Sequence, residues 1–478
     1  MADASSLPAA EAVTLTKEPK KKVPSLLKRL ASRTKKKSST GFAVAEKATD
    51  SPAAGAAVKD EPSPCQKMEA DGTLPQPQGT AGKRITILSI DGGGVRGVIA
   101  TVLLEYLESQ LQHLDGKDAR IADYFDVVAG TSTGGLVASM LTAPDENNRP
   151  LMTASQATDF YMSKAITVFP QNAPPLSGLK NLFSGPKYSN TPLKKLMVEN
   201  FKEHKIADAL TDVLITSFDV KNQQPVFFDR AVAQRTERFN AKFVDACLGT
   251  SAAPTYLPAY KFVVPDKDNP GPAKTHEYNL IDGGVAANNP TQVAVLHSLK
   301  DLMIGDSPHK ERIPCFEGYK NLLVLSLGTG VRKESFDAGD MAGWGTISWV
   351  ANDGRTPIVD MLMNSSAYLV DFDVAIRFQT EKDERNYLRI QAYNISDDMA
   401  RLDNADPKNM AKLKQLAKDL LDQHALYRDA VNGELVDKPY VSTNREALSC
   451  FAKWLSEEKK GRSADVAPSA STSGGSYV

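Results

Sequence analysis

The sequence predicts an α/β fold: a three-layer sandwich with a largely parallel central sheet. Three observations carry that expectation. Short β-branched, apolar runs alternate with helical patterns along most of the chain. The first two runs each end in a glycine turn that leads into a helix. Of 478 residues, 41% are hydrophobic and 24% charged, with a net charge of −1, the balance of a globular protein with a sizeable core. A chain disordered throughout, or collagenous, is excluded.

RITILSI (84–90) reads as a buried strand and DGGGVRG (91–97) as a turn. Beyond it Val98, Ile99, Val102, Leu103, Tyr106, Leu107 and Leu111 recur at three and four, the stripe of an amphipathic helix. The pattern repeats, with YFDVVAG (124–130) as strand, GTSTGG (130–135) as turn and LVASML (136–141) as a small-residue helix that ends before Pro144. Further strands are expected at 213–219, 278–282, 321–327 and 386–392, with helices at TQVAVLHSLKDLM (291–303) and NMAKLKQLAKDLL (409–421). The ordered domain is expected over 83–462, its motif-bearing core over 86–297.

The ends read differently. Residues 1–82 are rich in Ala, Ser, Pro and Lys, with Phe42 their one aromatic, and cannot bury enough apolar surface to offset ordering entropy; a disordered extension is expected there. A second flexible tail is expected at 463–478. Residues 17–37 hold ten Lys/Arg against Glu18 alone, a charge of +9 that leaves −10 on the remaining chain. That asymmetry points to an anionic membrane surface as the arm's partner, where 23–37 could fold as a basic amphipathic helix. The body has no basic excess for nucleic acid. Cys65, Cys247, Cys315 and Cys450 are far apart, with no C-x-x-C, so neither a zinc site nor a disulfide framework is suggested. No secretory apolar core and no run of roughly 18 apolar residues is present, which favours a cytoplasmic, peripherally membrane-bound protein. Plastid targeting is the lesser alternative, because Asp3, Glu11 and Glu18 are acidic where transit segments are not.

Gly130-Thr131-Ser132-Thr133-Gly134 is a G-x-S-x-G at a strand-to-helix junction, and a chain of this length and composition yields roughly 0.1 such matches by chance. A serine on so sharp a turn needs glycine neighbours for the backbone and for the approach of an ester. The following helix N-terminus favours developing negative charge. The bland alternative is a glycine turn capped by a serine. Gly92, Gly93, Gly94, Val95, Arg96 and Gly97 contain G-x-G-x-x-G, which alone is a weak dinucleotide signal. The acid that such a unit wants at the next strand end is missing, and an oxyanion hole facing Ser132 is the better reading. Arg96 would then brace the turn. The residues alone leave the base open: His113, His204, His276, His297, His309 and His424 sit in no motif, and His297 reads as a half-exposed helix position. Asp282, followed by Gly283 and Gly284, ends an apolar strand, yet Asp-Gly-Gly is most often only a turn.

DGGGVRG (91–97), GTSTGG (130–135) and DGGVAANNP (282–290), in this order, resemble the patatins and patatin-like phospholipases. The resemblance extends through TAPDENNRPL (142–151), FSGPKY (183–188), GTSAAPTYLPAY (249–260), LSLGTG (325–330) and NREALSCFAKWLSEEKK (444–460). It implies a patatin-like fold and a lipid acyl hydrolase acting on phospholipids and galactolipids. It further implies Ser132 as nucleophile, Asp282 as its base and the turn 92–97 as oxyanion hole, with no metal or cofactor. A basic arm stands where secreted storage patatins carry a signal peptide. Acyl transfer, or storage and lipid binding with little turnover, are the alternatives. With Asp282 as base, the acid limb of activity is expected around pH 4–5.5.

Overall fold

Leu88 and Ile90 pack into one hydrophobic core, whereas Ile85 and Ile87, displaced by the two-residue period of a strand, pack into another. Strand β1 (Ile85–Ile90) is therefore buried on both faces, which is why it reads as an unbroken apolar run. The same holds for β2 (Val127–Thr131), β3 (Asp212–Asp219) and β7 (Leu322–Leu327). The computed structural model describes residues 76–171, 185–267, 272–304, 308–332, 336–352 and 355–466. The arm 17–37 lies outside the described residues.

The order across the main sheet is β5-β6-β3-β2-β1-β7-β8, where β5 is Tyr260–Pro265, β6 Thr275–Asp282 and β8 Tyr387–Ile390. Pairs β3–β2, β2–β1, β1–β7 and β7–β8 are parallel; β6 runs antiparallel to β3, and β5 to β6. β4 (Gln224–Asp229) pairs antiparallel with β3. The sheet is thus mixed, with a parallel centre. Helices α1 (Gly97–Asp115), α2 (Thr133–Thr142), α3 (Ala154–Val168) and α4 (Thr191–Phe201) feed the core on the Leu88 face. α5 (Phe243–Thr250) joins them there. α6 (Thr291–Ile304) and α7 (Pro357–Thr380) cover the Ile85 face. α8 (Pro407–Leu421) and α9 (Asn444–Val466) return to the first face. This is the three-layer α/β arrangement expected.

The antiparallel strands β4 and β5 and the small hairpin Leu426–Arg428/Leu435–Asp437 are absent from the sequence reading. β5 alternates buried and exposed positions, and its apolar run is only Phe262, Val263 and Val264, too short to mark a strand. At the chain ends, Gly82 donates from its N–H to Glu458 Oε2 at 2.8 Å, and Gln78 exchanges hydrogen bonds with Asn386. Buried Arg84 pairs with buried Glu458, tying the start of β1 to α9, which continues past residue 462. Among the described residues no helix is long and apolar enough to cross a membrane.

Candidate active site

β2 ends at Thr131 and α2 begins at Thr133, so the chain turns from strand to helix within Ser132 alone. Its backbone takes φ 54° and ψ −122°, a left-handed conformation that costs a non-glycine residue about 1–3 kcal/mol. The glycines permit the turn. A Cβ on Gly130 would lie 2.2 Å from the Gly134 carbonyl oxygen, and one on Gly134 2.1 Å from that of Ile90. Three hydroxyls fasten the elbow. Thr131 Oγ1 donates to the Ala287 carbonyl, the Ser132 N–H donates to Thr250 Oγ1 at 2.7 Å, and Tyr161 donates to the Thr133 carbonyl.

Asp282 reaches this point from the opposite direction. β6 runs against β3 and ends with Asp282 opposite Ser217, while Thr216 of β3 lies beside Thr131 of β2. The end of the antiparallel strand therefore meets the ends of the parallel ones. Ser132 Oγ donates to Asp282 Oδ2 at 2.6 Å, and the Gly284 N–H donates to Oδ1 at 2.8 Å. Asp282 is 2% exposed. Burial pushes its carboxyl up to about 6, with the Ser132 hydroxyl and the Gly284 N–H partly opposing the rise. That places it above the pH 4–5.5 expected from the sequence, because desolvation outweighs the two hydrogen bonds.

Ile90 and Gly130 are register partners, so the turn after β1 stands beside the serine turn. A Cβ on Gly92 would lie 3.3 Å from that of Ser132. Four of the six N–H groups in this turn are engaged. Gly92 donates to the Asn288 carbonyl, Val95 to that of Leu402, Arg96 to that of Gly93, and Gly97 back into the turn. The N–H groups of Gly93 and Gly94 have no protein acceptor among the described residues, and Gly94 lines the same cleft as Ser132. Thr133, as the first residue of α2, adds a third N–H without an intrahelical partner. Arg96 donates to the carbonyls of Gly93 and Gly330, bracing the turn. Asp91, which opens the turn, is clamped by both terminal nitrogens of Arg389.

The cleft is apolar. Leu136, Phe160, Val168 and Leu193 line an inner pocket of about 70 Å³ around Ser132 and Asp282. Tyr256 and Leu257 are shared with an outer groove of about 550 Å³ that also touches Pro254, Pro258 and Ile281. No histidine lines the inner pocket among the described residues. His297, expected half-exposed, is buried: its Nε2 lies 2.8 Å from Asp212 and 3.4 Å from Asp301, with Asp229 3.9 Å from Nδ1. Burial lowers its pKa, but the Asp212 hydrogen bond and the surrounding carboxylates more than reverse this and hold it above the ordinary histidine range. Donor atoms of Asp212, Asp229 and His297 stand near enough to hold a metal ion. Asp212 and Asp229 already accept from the N–H groups of Ala231 and Val232, respectively.

Sequence reasoning misses Thr250, Asn288 and Arg389. Asn288 stands within DGGVAANNP and Thr250 within GTSAAPTYLPAY, and both could have been flagged by those motifs; Arg389 comes from a separate strand with no local pattern.

Residues 88–295 match the model of the family described as Patatin-like phospholipase. The chain is also 44% identical over 388 residues to Patatin-like protein 2 of Arabidopsis thaliana, covering 80% of this chain and 94% of that protein. The chain belongs to the patatin-like phospholipase family. It is 42% identical over 385 residues to Patatin-like protein 2 of Oryza sativa subsp. japonica, covering 80% and 94%. It is 36% identical over 387 residues to Patatin of Solanum tuberosum, covering 80% and 92%. The patatin-like match begins within β1 and ends within α6, enclosing all three glycine motifs. Family membership supports lipid acyl hydrolase activity in general terms.

Proposed function

We propose that this protein hydrolyses fatty acyl esters of phospholipids and galactolipids through a Ser132–Asp282 dyad and an acyl-enzyme. The observation that carries the reading is the 2.6 Å hydrogen bond from Ser132 Oγ to Asp282 Oδ2 at the base of an apolar cleft. Asp282 accepts the hydroxyl proton as Oγ attacks the acyl carbonyl carbon. The N–H groups of Gly93, Gly94 and Thr133 supply the donors for the oxyanion, aided by the N-terminal end of α2. As the tetrahedral intermediate collapses, the ester bond breaks and Asp282 returns the proton to the leaving alcohol. Water then attacks the acyl-enzyme by the same route, its proton passing through Asp282 to Ser132 as the fatty acid departs.

A carboxylate near its ordinary pKa is a weak base toward an alcohol, so the upward push on Asp282 serves the chemistry. The dry pocket walls strengthen each of these electrostatic contacts. The test is mass-spectrometric analysis of a mixed phospholipid and galactolipid extract incubated with the full-length protein. Free fatty acids and the matching lysolipids should accumulate with the wild type and not with Ser132→Ala; unchanged lipid with folded wild type would reject the proposal.

A further inference from the structure

Beyond the chemical centre, the cleft opens onto a surface built unlike the rest of the molecule. The short helix Thr346–Val350 packs on α7 and leaves Ile347 57% and Val350 41% exposed. On α7, Ile358 and Leu362 stand one turn apart on a common stripe, and Leu362 is 46% exposed. Trp344 and Trp349 lie edge to face at 5.8 Å and are only half-buried. A soluble face seldom gathers four exposed aliphatic side chains and two indoles without a partner.

The position of these groups identifies the partner. Val350 lines the outer groove, and Met363, next to Leu362, lines the inner pocket with Ser132. Through Val350 the apolar surface reaches the outer groove, and α7 carries both Leu362 and the pocket-lining Met363. Lys164 lines the inner pocket too, is exposed, and forms no ion pair among the described residues. An apolar rim, interface-seeking indoles and a cation beside an apolar slot complement the acyl region and phosphate of a phospholipid layer. We infer that Trp344, Ile347, Trp349, Val350, Ile358 and Leu362 form a docking face that seats the cleft mouth on a phospholipid interface, independently of the basic arm. The inference rests on the lipid hydrolase reading for its occupant. A substrate acyl chain would pass from the layer into the pocket without crossing water.

The chain contains three tryptophans, and the third, Trp454, is buried. Emission thus reports on this face above a fixed background. The experiment uses full-length Ser132→Ala, to prevent turnover, with phosphatidylcholine vesicles at 0.15 M salt, ordinary or brominated in the acyl chains; zwitterionic lipid keeps the arm's cations from dominating. The expected result is a blue shift with ordinary vesicles and quenching with brominated ones. Both should be lost when Ile347→Asp and Leu362→Asp are added. In the otherwise wild-type enzyme the same pair should lower vesicle hydrolysis at least about tenfold, from lost apolar burial, and leave hydrolysis of a short soluble ester within about twofold. Equal emission with both vesicle types overturns the docking face. Quenching together with absent soluble-ester hydrolysis would sink the enzymatic reading and leave the face standing.

Discussion

Replacing Asp282 by Asn should abolish activity and stabilise the fold, and the size of the gain follows from burial. The carboxyl titrates near 3.8 when solvated and near 6 in the folded protein, with desolvation the leading cause. Because the folded value is raised, the contribution of Asp282 to stability is present below pH 3.8 and lost as pH rises through 6. Above that it is a constant cost of about 3 kcal/mol, the difference of roughly two pKa units. Asn carries no charge and can still bond Ser132 and Gly284. Asp282→Asn should therefore be up to about 3 kcal/mol more stable than wild type at pH 7.5, falling to roughly half of that at pH 5. Urea denaturation of both proteins at the two pH values, followed by circular dichroism, measures this. No gain at pH 7.5, or a gain that does not shrink on acidification, would refute the claim that the base is a desolvated carboxylate.

In soluble-ester assays Ser132→Ala and Asp282→Asn should each lower kcat by at least about 10³-fold, and the double variant should be no slower, because the pair acts as one unit. Wild-type hydrolysis should fall as pH drops below about 6, where Asp282 takes up a proton and can no longer serve as base. A histidine base would give a limb close by, so six single His→Gln variants must each keep the wild-type limb. His297→Gln among them should lose about 3 kcal/mol of stability by removing the ring that pairs with buried Asp212. Gly94→Ala, at φ +58° with its Cβ 2.1 Å from the Leu402 carbonyl oxygen, should displace the turn and reduce kcat at least about 10²-fold, with KM little changed. We also propose that residues 17–37 bind anionic membranes; sedimentation with phosphatidylserine vesicles should decrease on deleting 1–75, and equal sedimentation removes the arm from the mechanism.

The parallel centre of the sheet was legible because burial on both faces forces continuous runs such as ITILSI and LLVLSL. On the antiparallel side β6 was legible only over 278–282, and β4 and β5 were not, since strands such as β5 keep one face in water and dilute the signal. Ser132 was legible for a local reason: strand, turn and helix meet within five residues, and only glycines fit around them. Asp282 was marked by its glycines, but its partnership with Ser132 depends on the register Ser217 to Asp282, which no local pattern encodes. The same applies to the proposed oxyanion donors. Gly92 and Val95 are occupied by carbonyls of Asn288 and Leu402, distant in sequence, so which N–H groups stay free is a tertiary fact. His297 looked half-exposed from its helix, yet β3 and β4 bring Asp212 and Asp229 over it.

The central claim is that Ser132, activated by Asp282, is the nucleophile. Peptide mapping by mass spectrometry after reaction with a fluorophosphonate tests it most directly. A single adduct is predicted, on the peptide containing Ser132, absent from Ser132→Ala and formed far more slowly in Asp282→Asn. An adduct on another serine, or labelling at the wild-type rate in Asp282→Asn, would contradict the account.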